Sequence, residues 1–288
     1  MKFKICHTTR YQYQEPVIDS VNEVRLSPRT NYRQSCYHHT ILVEPNTMLL
    51  TYEDFFGNRI HAFTVNSPHQ EIVITAVSTV VTHDNDGVLN RLLTPLEDWA
   101  MLSSEEVRNK YAEYLMHSGY TAHSPAVRAY ADLIPVDEGC SVYETVMKLV
   151  THIYNDFQYQ PKATSVGTTV DELLNLKKGV CQDFAHLMIA VLRMKGIPAR
   201  YVSGYHFVAD LHMRTSDFEQ ASHAWVEAYI PGTGWLGFDP TNNNRVDGRY
   251  IKLGHGRDYA DIVPVKGIYK GTPHHRMIVD VDVQSINR

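Results

Sequence analysis

The chain has 288 residues, of which 43% are hydrophobic and 20% charged, and its formal net charge is -5. This is an ordinary globular composition, so the chain is long and apolar enough to bury a sizeable core. The acidic balance and the lack of Lys- or Arg-rich runs exclude nucleic acid and an anionic membrane as expected partners.

The N-terminal residues, MKFKICHTTRYQYQ, are typical of a strand and lack the apolar stretch of a secretory signal. No segment approaches the roughly 18 apolar residues of a membrane span. The four cysteines lie far apart and form no CxxC pair. Disulfides are not expected in so long a chain without an export signal, so a cytoplasmic location is the expectation.

Up to about residue 85, the sequence predicts short strands separated by turns that contain Pro, Gly or Asn. Short strands at this spacing favour an antiparallel sandwich or half-barrel. The predicted strands cover residues 21–26, 36–43, 49–52, 59–65 and 71–81. The turn Asp84–Gly87 is a candidate boundary, which gives a β-rich N-terminal domain at 1–86 and a second domain at 87–288.

The second domain is predicted to open with helices. The boxes Ser141–Glu144 and Thr169–Glu172 have the forms S-x-x-E and T-x-x-E, which mark helix starts. We therefore divide this domain into a helical lead-in at 87–160, a core at 161–245 and a C-terminal extension at 246–288.

Cys181 is the first candidate for a reactive group. In GVCQDFAHLMIAVLRMKGIP, apolar residues recur at helical spacing, and Gly196 and Pro198 end the pattern, so a helix is predicted to begin at about Cys181. A thiol at a helix N-terminus faces free N–H groups and the positive end of the dipole, and both favour the reactive thiolate. On this evidence alone, a buried structural cysteine is equally consistent.

A predicted hairpin supplies two possible partners for the thiol. Residues 223–230 alternate like a strand, and a second strand from Trp235 ends at Asp239, directly before a proline. The start of the first strand and the end of the second meet in a hairpin, so His223 and Asp239 are expected neighbours. A carboxylate fixes the tautomer of an imidazole and stabilises its charged form. With Cys181 packed against them, the three residues would form a nucleophile, a base and an orienting group.

The length of the hairpin loop decides whether this pair can meet. His223 and Asp239 are both odd-numbered, so a loop of two or four residues would turn them to opposite faces of the sheet. The sequence therefore predicts an odd loop or a bulge. Three glycines could accommodate it, Gly232, Gly234 and Gly237.

Four sequence blocks, GVCQDFAH, GIPARYVSGY, SHAWVEAYIPGTGW and FDPT, together resemble the transglutaminase-like, papain-related superfamily of cysteine enzymes. The N-terminal strands resemble the β-rich region that precedes this core in a bacterial branch. The resemblance covers most of residues 1–245. It implies an α+β fold, in which an antiparallel β-sandwich-like domain precedes a papain- or transglutaminase-like core with a helix-borne cysteine packed on an antiparallel sheet. It also implies that Cys181, His223 and Asp239 are the catalytic triad.

An oxyanion hole needs a second donor beside the Cys181 backbone N–H. Tyr159 is the first candidate by position, and two neighbours are further candidates, Gln158 and Gln160. Asp183 is interpreted as a partner of the helix dipole. His186 is interpreted as structural, because about 140° of helix rotation separates it from Cys181.

No cofactor and no metal site are expected. The 16 histidines include no HExxH motif, and Cys181 with His186 lacks the i, i+4 spacing of helix-borne ligands. The adjacent His274 and His275 complete no recognised motif.

These features predict a cysteine acyl-transfer enzyme that acts on a peptide or amide substrate through a thioester, and a peptidase or amidohydrolase is favoured. Hydrolysis is expected to dominate because the segment from Val208 to Ser222 is polar and would leave a thioester open to water. The alternatives are a protein-glutamine crosslinking transglutaminase, an inactive binding module with the same fold, and a metal enzyme. The sequence gives no indication of the oligomeric state.

Overall fold

The computed structural model describes residues 1–83, 93–135, 139–208 and 222–286. The predicted boundary at 86/87 and most of the polar segment before His223 lie outside the described residues. The strands and α-helices are β1 (Lys2–Val24), β2 (Gln34–Glu44), β3 (Leu50–Glu53), β4 (Arg59–Val65), β5 (His69–Thr82), α1 (Pro95–Ser103), α2 (Glu105–Lys110), α3 (Pro125–Asp132), α4 (Val142–Asp156), β6 (Gln158–Tyr159), α5 (Val170–Leu176), β7 (Lys178–Gly179), α6 (Cys181–Met194), β8 (Ala199–His206), β9 (His223–Ile230), β10 (Gly234–Asp239), β11 (Asn244–Arg245), β12 (Tyr250–Gly256), β13 (Val265–Lys270) and β14 (His275–Ser285).

The N-terminal region is a large antiparallel sheet built around β1, in the order β2-β5-β1-β4-β3. The first half of β1 pairs with β5 and β14, and its second half pairs with β4 and β13. Apolar side chains from both parts of the sheet share one buried cluster, which includes Phe3 of β1 and Phe63 of β4. The sequence predicted two separate strands along β1, whereas the structure has one strand that serves both halves of the sheet.

The second half of the chain packs helices onto an antiparallel sheet with the order β11-β10-β9-β8-β12. Helix α6 lies almost wholly in the core because the alternate residues of β9, Ala224, Val226, Ala228 and Ile230, present it with a small apolar face. The predicted α+β fold class is confirmed. The capping boxes at Ser141 and Thr169 form as predicted at the starts of α4 and α5.

The C-terminal extension contributes to both sheets. Strand β12 completes the core sheet by pairing with β8, whereas β13 and β14 pair with β1. The N-terminal sheet also packs against Tyr205 of β8 and Ile251 of β12. The C-terminal extension therefore links the core sheet to the N-terminal sheet.

A buried ionic cluster lies where the two sheets meet. The Glu227 Oε2 atom is 2.6 Å from both the Arg200 guanidinium and the Lys252 ammonium. Burial and the Arg200 charge lower the pKa of Lys252 to about 7. Gln34 of β2 hydrogen-bonds the backbone N–H and carbonyl of Lys252 at 2.8 Å, which ties the cluster to the N-terminal sheet.

Within the described ranges, none of the helices combines the length and apolar character needed to cross a membrane.

Candidate active site

The candidate nucleophile lies at the predicted helix start. Helix α6 begins at Cys181, whose side chain is largely buried. The Asp183 Oδ2 atom accepts hydrogen bonds from the Val180 backbone N–H at 2.8 Å and from the Thr164 hydroxyl at 2.6 Å, which fixes the first turn. A Cβ at position 179 would lie 2.8 Å from this carboxylate oxygen, so only glycine permits the approach. The thiol is thus held where free N–H groups and the helix dipole converge.

The hairpin has the odd loop that the sequence requires. Ile230 pairs with Gly234, so three residues form the loop, and Trp235 then pairs with Tyr229. Gly232 and Gly234 have positive φ angles of 70° and 99°, which are strained for other residues. The predicted odd loop is confirmed, and it brings the candidate histidine and aspartate to the same face of the sheet.

His223 and Asp239 meet directly. The His223 Nε2 atom lies 2.7 Å from the Asp239 Oδ2 atom, and the carboxylate is wholly buried. Asp239 also accepts hydrogen bonds from the Thr241 backbone N–H at 2.8 Å, the Asn242 side-chain amide at 2.7 Å and the Tyr250 hydroxyl at 2.7 Å. These donors fix the carboxylate and stabilise its charge.

The sequence did not point to Asn242 or Tyr250. Asn242 follows the Asp-Pro turn, where a side chain that bonds back to the turn is common, so a local signal existed. Tyr250 comes from β12, and nothing in the local sequence pattern links it to Asp239.

The electrostatics of the pair favour a charged imidazole. Burial alone would lower the pKa of His223, but the Asp239 charge and the contact with Cys181 raise it to about 10. In turn, burial would raise the pKa of Asp239, whereas the His223 charge and the surrounding donors hold it well below its usual range. The interaction with the Cys181 side chain is the smaller of the contributions that raise the pKa of His223. Because Nε2 is engaged by Asp239, Nδ1 is the ring nitrogen left for the sulfur.

The Tyr159 segment lies beside the nucleophile. Strand β6 runs parallel to β7 and pairs Tyr159 with Gly179, two residues before Cys181. The Gln160 backbone N–H donates to the Gly179 carbonyl at 2.9 Å. Tyr159 is 40% exposed. Its role as an oxyanion donor stays a prediction.

His186 has the surroundings of a structural residue. It is almost fully buried and stacks on Tyr120, with ring centroids 4.8 Å apart. Its Nε2 atom accepts the Tyr259 backbone N–H at 3.2 Å. Burial, with a smaller contribution from Arg193, lowers the pKa of His186 to about 3, so the ring is neutral.

A histidine that the sequence did not single out adjoins the pair. His206 lies at the end of β8, with its ring centroid 5.5 Å from that of His223, and stacks on Tyr250 at 4.2 Å. Among the described residues, His206, His223 and Asp239 form a group whose donor atoms lie within 4.8 Å of one another.

Comparisons with known proteins relate this chain to transglutaminase-like proteins. The model of the transglutaminase-like superfamily matches residues 135–240, and that of the bacterial transglutaminase-like N-terminal region matches residues 3–81. An uncharacterised protein of Mycobacterium leprae is 35% identical over 282 residues, which cover 98% of this chain and 96% of that protein. The protein-glutamine gamma-glutamyltransferase of Pseudomonas aeruginosa is 34% identical over 161 residues, which cover 52% of this chain and 24% of that protein. The crystal structure of a proposed cysteine protease from Cytophaga hutchinsonii has a TM-score of 0.78 at 24% identity, and the match covers 100% of this chain and 91% of that one.

Proposed function

Because the chain belongs to the transglutaminase-like superfamily, with the bacterial transglutaminase-like N-terminal region, we propose that it is a cysteine acyl-transfer enzyme acting on an amide bond of a peptide substrate. In this proposal Cys181 is the nucleophile, His223 the general base and acid, and Asp239 the group that orients His223. The observation that carries the proposal is the pair of His223 and Asp239, whose Nε2 and Oδ2 atoms lie 2.7 Å apart; the His223 imidazole also interacts with Cys181.

The raised pKa of His223 defines the first step. In the proposed first step the His223 imidazole accepts the proton of the Cys181 thiol, which gives a thiolate and an imidazolium. The sulfur attacks the amide carbonyl carbon and forms a carbon–sulfur bond. The tetrahedral intermediate then collapses as the carbon–nitrogen bond breaks, and His223 donates its proton to the leaving amine. The product of this half-reaction is a thioester on Cys181.

The oxyanion that forms during attack needs donors near the helix start. The Cys181 backbone N–H belongs to the first turn of α6, where N–H groups lack intrahelical acceptors. We propose Tyr159 as the second donor, since its strand lies beside Gly179. A Tyr159→Phe variant with unchanged turnover would remove the hydroxyl from the mechanism.

We propose that water resolves the thioester. His223 removes a proton from water, the hydroxide adds to the carbonyl carbon, and the carbon–sulfur bond breaks to release a free acid. This leaves the Cys181 thiolate beside a protonated His223, the pair from which the attack began. The exposure of both residues of β6, beside the nucleophile, supports access of water to this site. We also propose a cytoplasmic location, where the four cysteines would stay reduced; subcellular fractionation would test it.

A second candidate function is transfer of the acyl group to a lysine amine. It is favoured by the 34% identity, over 161 residues, to the Pseudomonas aeruginosa protein named protein-glutamine gamma-glutamyltransferase. In that case the leaving group is ammonia from a glutamine side chain, and an amine takes the place of water.

One experiment separates these functions. The protein is incubated with a glutamine-containing peptide and an excess of a labelled primary amine, and both products are quantified by mass spectrometry. We expect mostly free acid, which is lost in Cys181→Ala and retained in Cys140→Ala, a matched change of another cysteine. Mostly amine adduct, with the same dependence on Cys181, would favour crosslinking. Unchanged peptide across a broad peptide library would favour a binding module and overturn the enzyme proposal.

A further inference from the structure

His206 has a polar atom that the proposed mechanism does not use. Its Nε2 atom is buried and has no hydrogen-bond partner among the described residues. A buried polar atom without a partner costs free energy, so such an atom in a native protein calls for an explanation. The ring is held firmly nevertheless, because it stacks on Tyr250 with 4.2 Å between centroids and 13° between planes.

The atoms around it make a donor set that suits a transition metal. His206 and His223 each offer a ring nitrogen, and Asp239 offers a carboxylate oxygen, with all three atoms within 4.8 Å of one another. Two imidazole nitrogens and one carboxylate are typical zinc ligands, with metal–ligand distances of about 2.0–2.2 Å. Tetrahedral donors at such distances lie roughly 3.3 Å apart. The three donor atoms of His206, His223 and Asp239 would reach this separation if their side chains moved by about an ångström.

Tyr250 supports two of the three ligands. Its hydroxyl donates to Asp239 Oδ2 at 2.7 Å, while its ring packs against His206. The Asn242 amide also donates to Asp239 Oδ2 at 2.7 Å. Outer contacts that fix the orientation of ligands are characteristic of zinc sites.

From this geometry we propose that His206, His223 and Asp239 bind a divalent transition-metal ion, with Zn²⁺ as the expected ion. The ion takes the position of the proton between His223 Nε2 and Asp239 Oδ2, and this proton leaves to solvent. The binding stands independently of the enzyme proposal. Its consequence, inhibition of the enzyme by removal of the base, rests on the proposed function.

The sequence predicted no metal site because the ligands follow no local motif. They come from three strands, β8, β9 and β10, and are separated by 17 and 16 positions along the chain. Only the alignment of these strands in the core sheet brings them together.

Cobalt binding tests the proposal without any need for turnover. The full chain, freed of metal with a chelator, is titrated with Co²⁺ and followed by visible absorption, and the bound Co²⁺ is then displaced with Zn²⁺. We expect one tetrahedral Co²⁺ per chain, both in the parent protein and in Cys181→Ala, without sulfur-to-cobalt charge transfer. His206→Ala and the size-conserving His206→Gln should each weaken binding by at least about 100-fold, since each removes a ligand.

A matched control covers adventitious binding at surface histidines. His117 and His123 are exposed, and their ring centroids lie 5.0 Å apart, so together they could bind a metal ion outside the proposed site. His117→Ala removes one of these two histidines and leaves the proposed ligands unchanged. We expect no change in that variant. Binding that is lost in Cys181→Ala but kept in both His206 variants would assign the metal to the thiol and overturn the proposal. The absence of stoichiometric binding in the parent, or loss of binding only in His117→Ala, would also overturn it. Failure of the chain to cleave any peptide would affect only the proposed function.

Discussion

Removal of the Asp239 charge is the sharpest test of the proposed thiolate–imidazolium pair. Asp239→Asn keeps the size and planar shape of the side chain but leaves the buried His223 ring without its counter-charge. In the parent, that charge outweighs burial and raises the pKa of His223 to about 10. In the variant only burial and the thiol contact remain, so the pKa must fall.

Coulomb's law gives the size of this fall. Two unit charges about 4 Å apart interact by about 4 kcal/mol at an effective dielectric constant near 20. Since one pKa unit corresponds to about 1.4 kcal/mol, the loss lowers the pKa of His223 by roughly three units, to near its ordinary value. At neutral pH the population of the thiolate–imidazolium pair then falls by up to about a thousandfold.

The assay is the rate of alkylation of Cys181 by iodoacetamide between about pH 5 and pH 10, read by mass spectrometry, because only the thiolate reacts. In the parent we expect fast alkylation of Cys181 already near pH 6, ahead of the other cysteines. In Asp239→Asn the rate near pH 7 should fall by roughly two to three orders of magnitude and recover only above about pH 9, where an ordinary thiol ionises.

Asp247→Asn is the control, since it removes a carboxylate from the same region that pairs with Arg249 instead. It should leave the profile of the parent unchanged, and circular dichroism should show that both variants are folded. An Asp239→Asn profile that matches the parent would refute the role of this carboxylate in holding the imidazole charged.

Three further results are expected. Tyr250→Phe removes a charge-assisted hydrogen bond to Asp239, so kcat/KM should fall about tenfold and the free energy of unfolding by about 1.5–3 kcal/mol in urea titrations; unchanged values would show that this donor is dispensable. Glu227→Gln removes the buried carboxylate that pairs with Arg200 and Lys252, so the free energy of unfolding should fall by about 3–5 kcal/mol. The exposed Glu71→Gln should cost far less, and equal losses would contradict the cluster's role. Because the pKa of His223 is raised from 6.5 to about 10 on folding, its stabilising contribution is complete below about pH 6.5 and is lost as the pH rises toward 10; a free energy of unfolding that stays level over this range would contradict the shift.

The sequence alone determined the features that depend on neighbouring residues. The capping boxes at Ser141 and Thr169 begin helices where predicted, because a cap and its N3 partner act within one turn. Helix α6 begins at Cys181 because Gly179 lets Asp183 cap the first turn, and all these residues lie within one short segment. The alternation along β9 likewise separates the face toward α6 from the face that carries His223.

The tertiary structure decided what depends on the alignment of distant segments. The sequence could state only the condition under which His223 and Asp239 meet; the three-residue loop that satisfies it is observed in the pairing of β9 with β10. The contacts of Tyr250 and His206 with this pair arise because β12 and β8 are neighbours in the core sheet. The pairing between β1 and β14, which lie at opposite ends of the chain, also depends on which strands become neighbours in a sheet. Such contacts leave no periodic signal in sequence, since they depend on strand order and register, which are fixed only when the sheets pack.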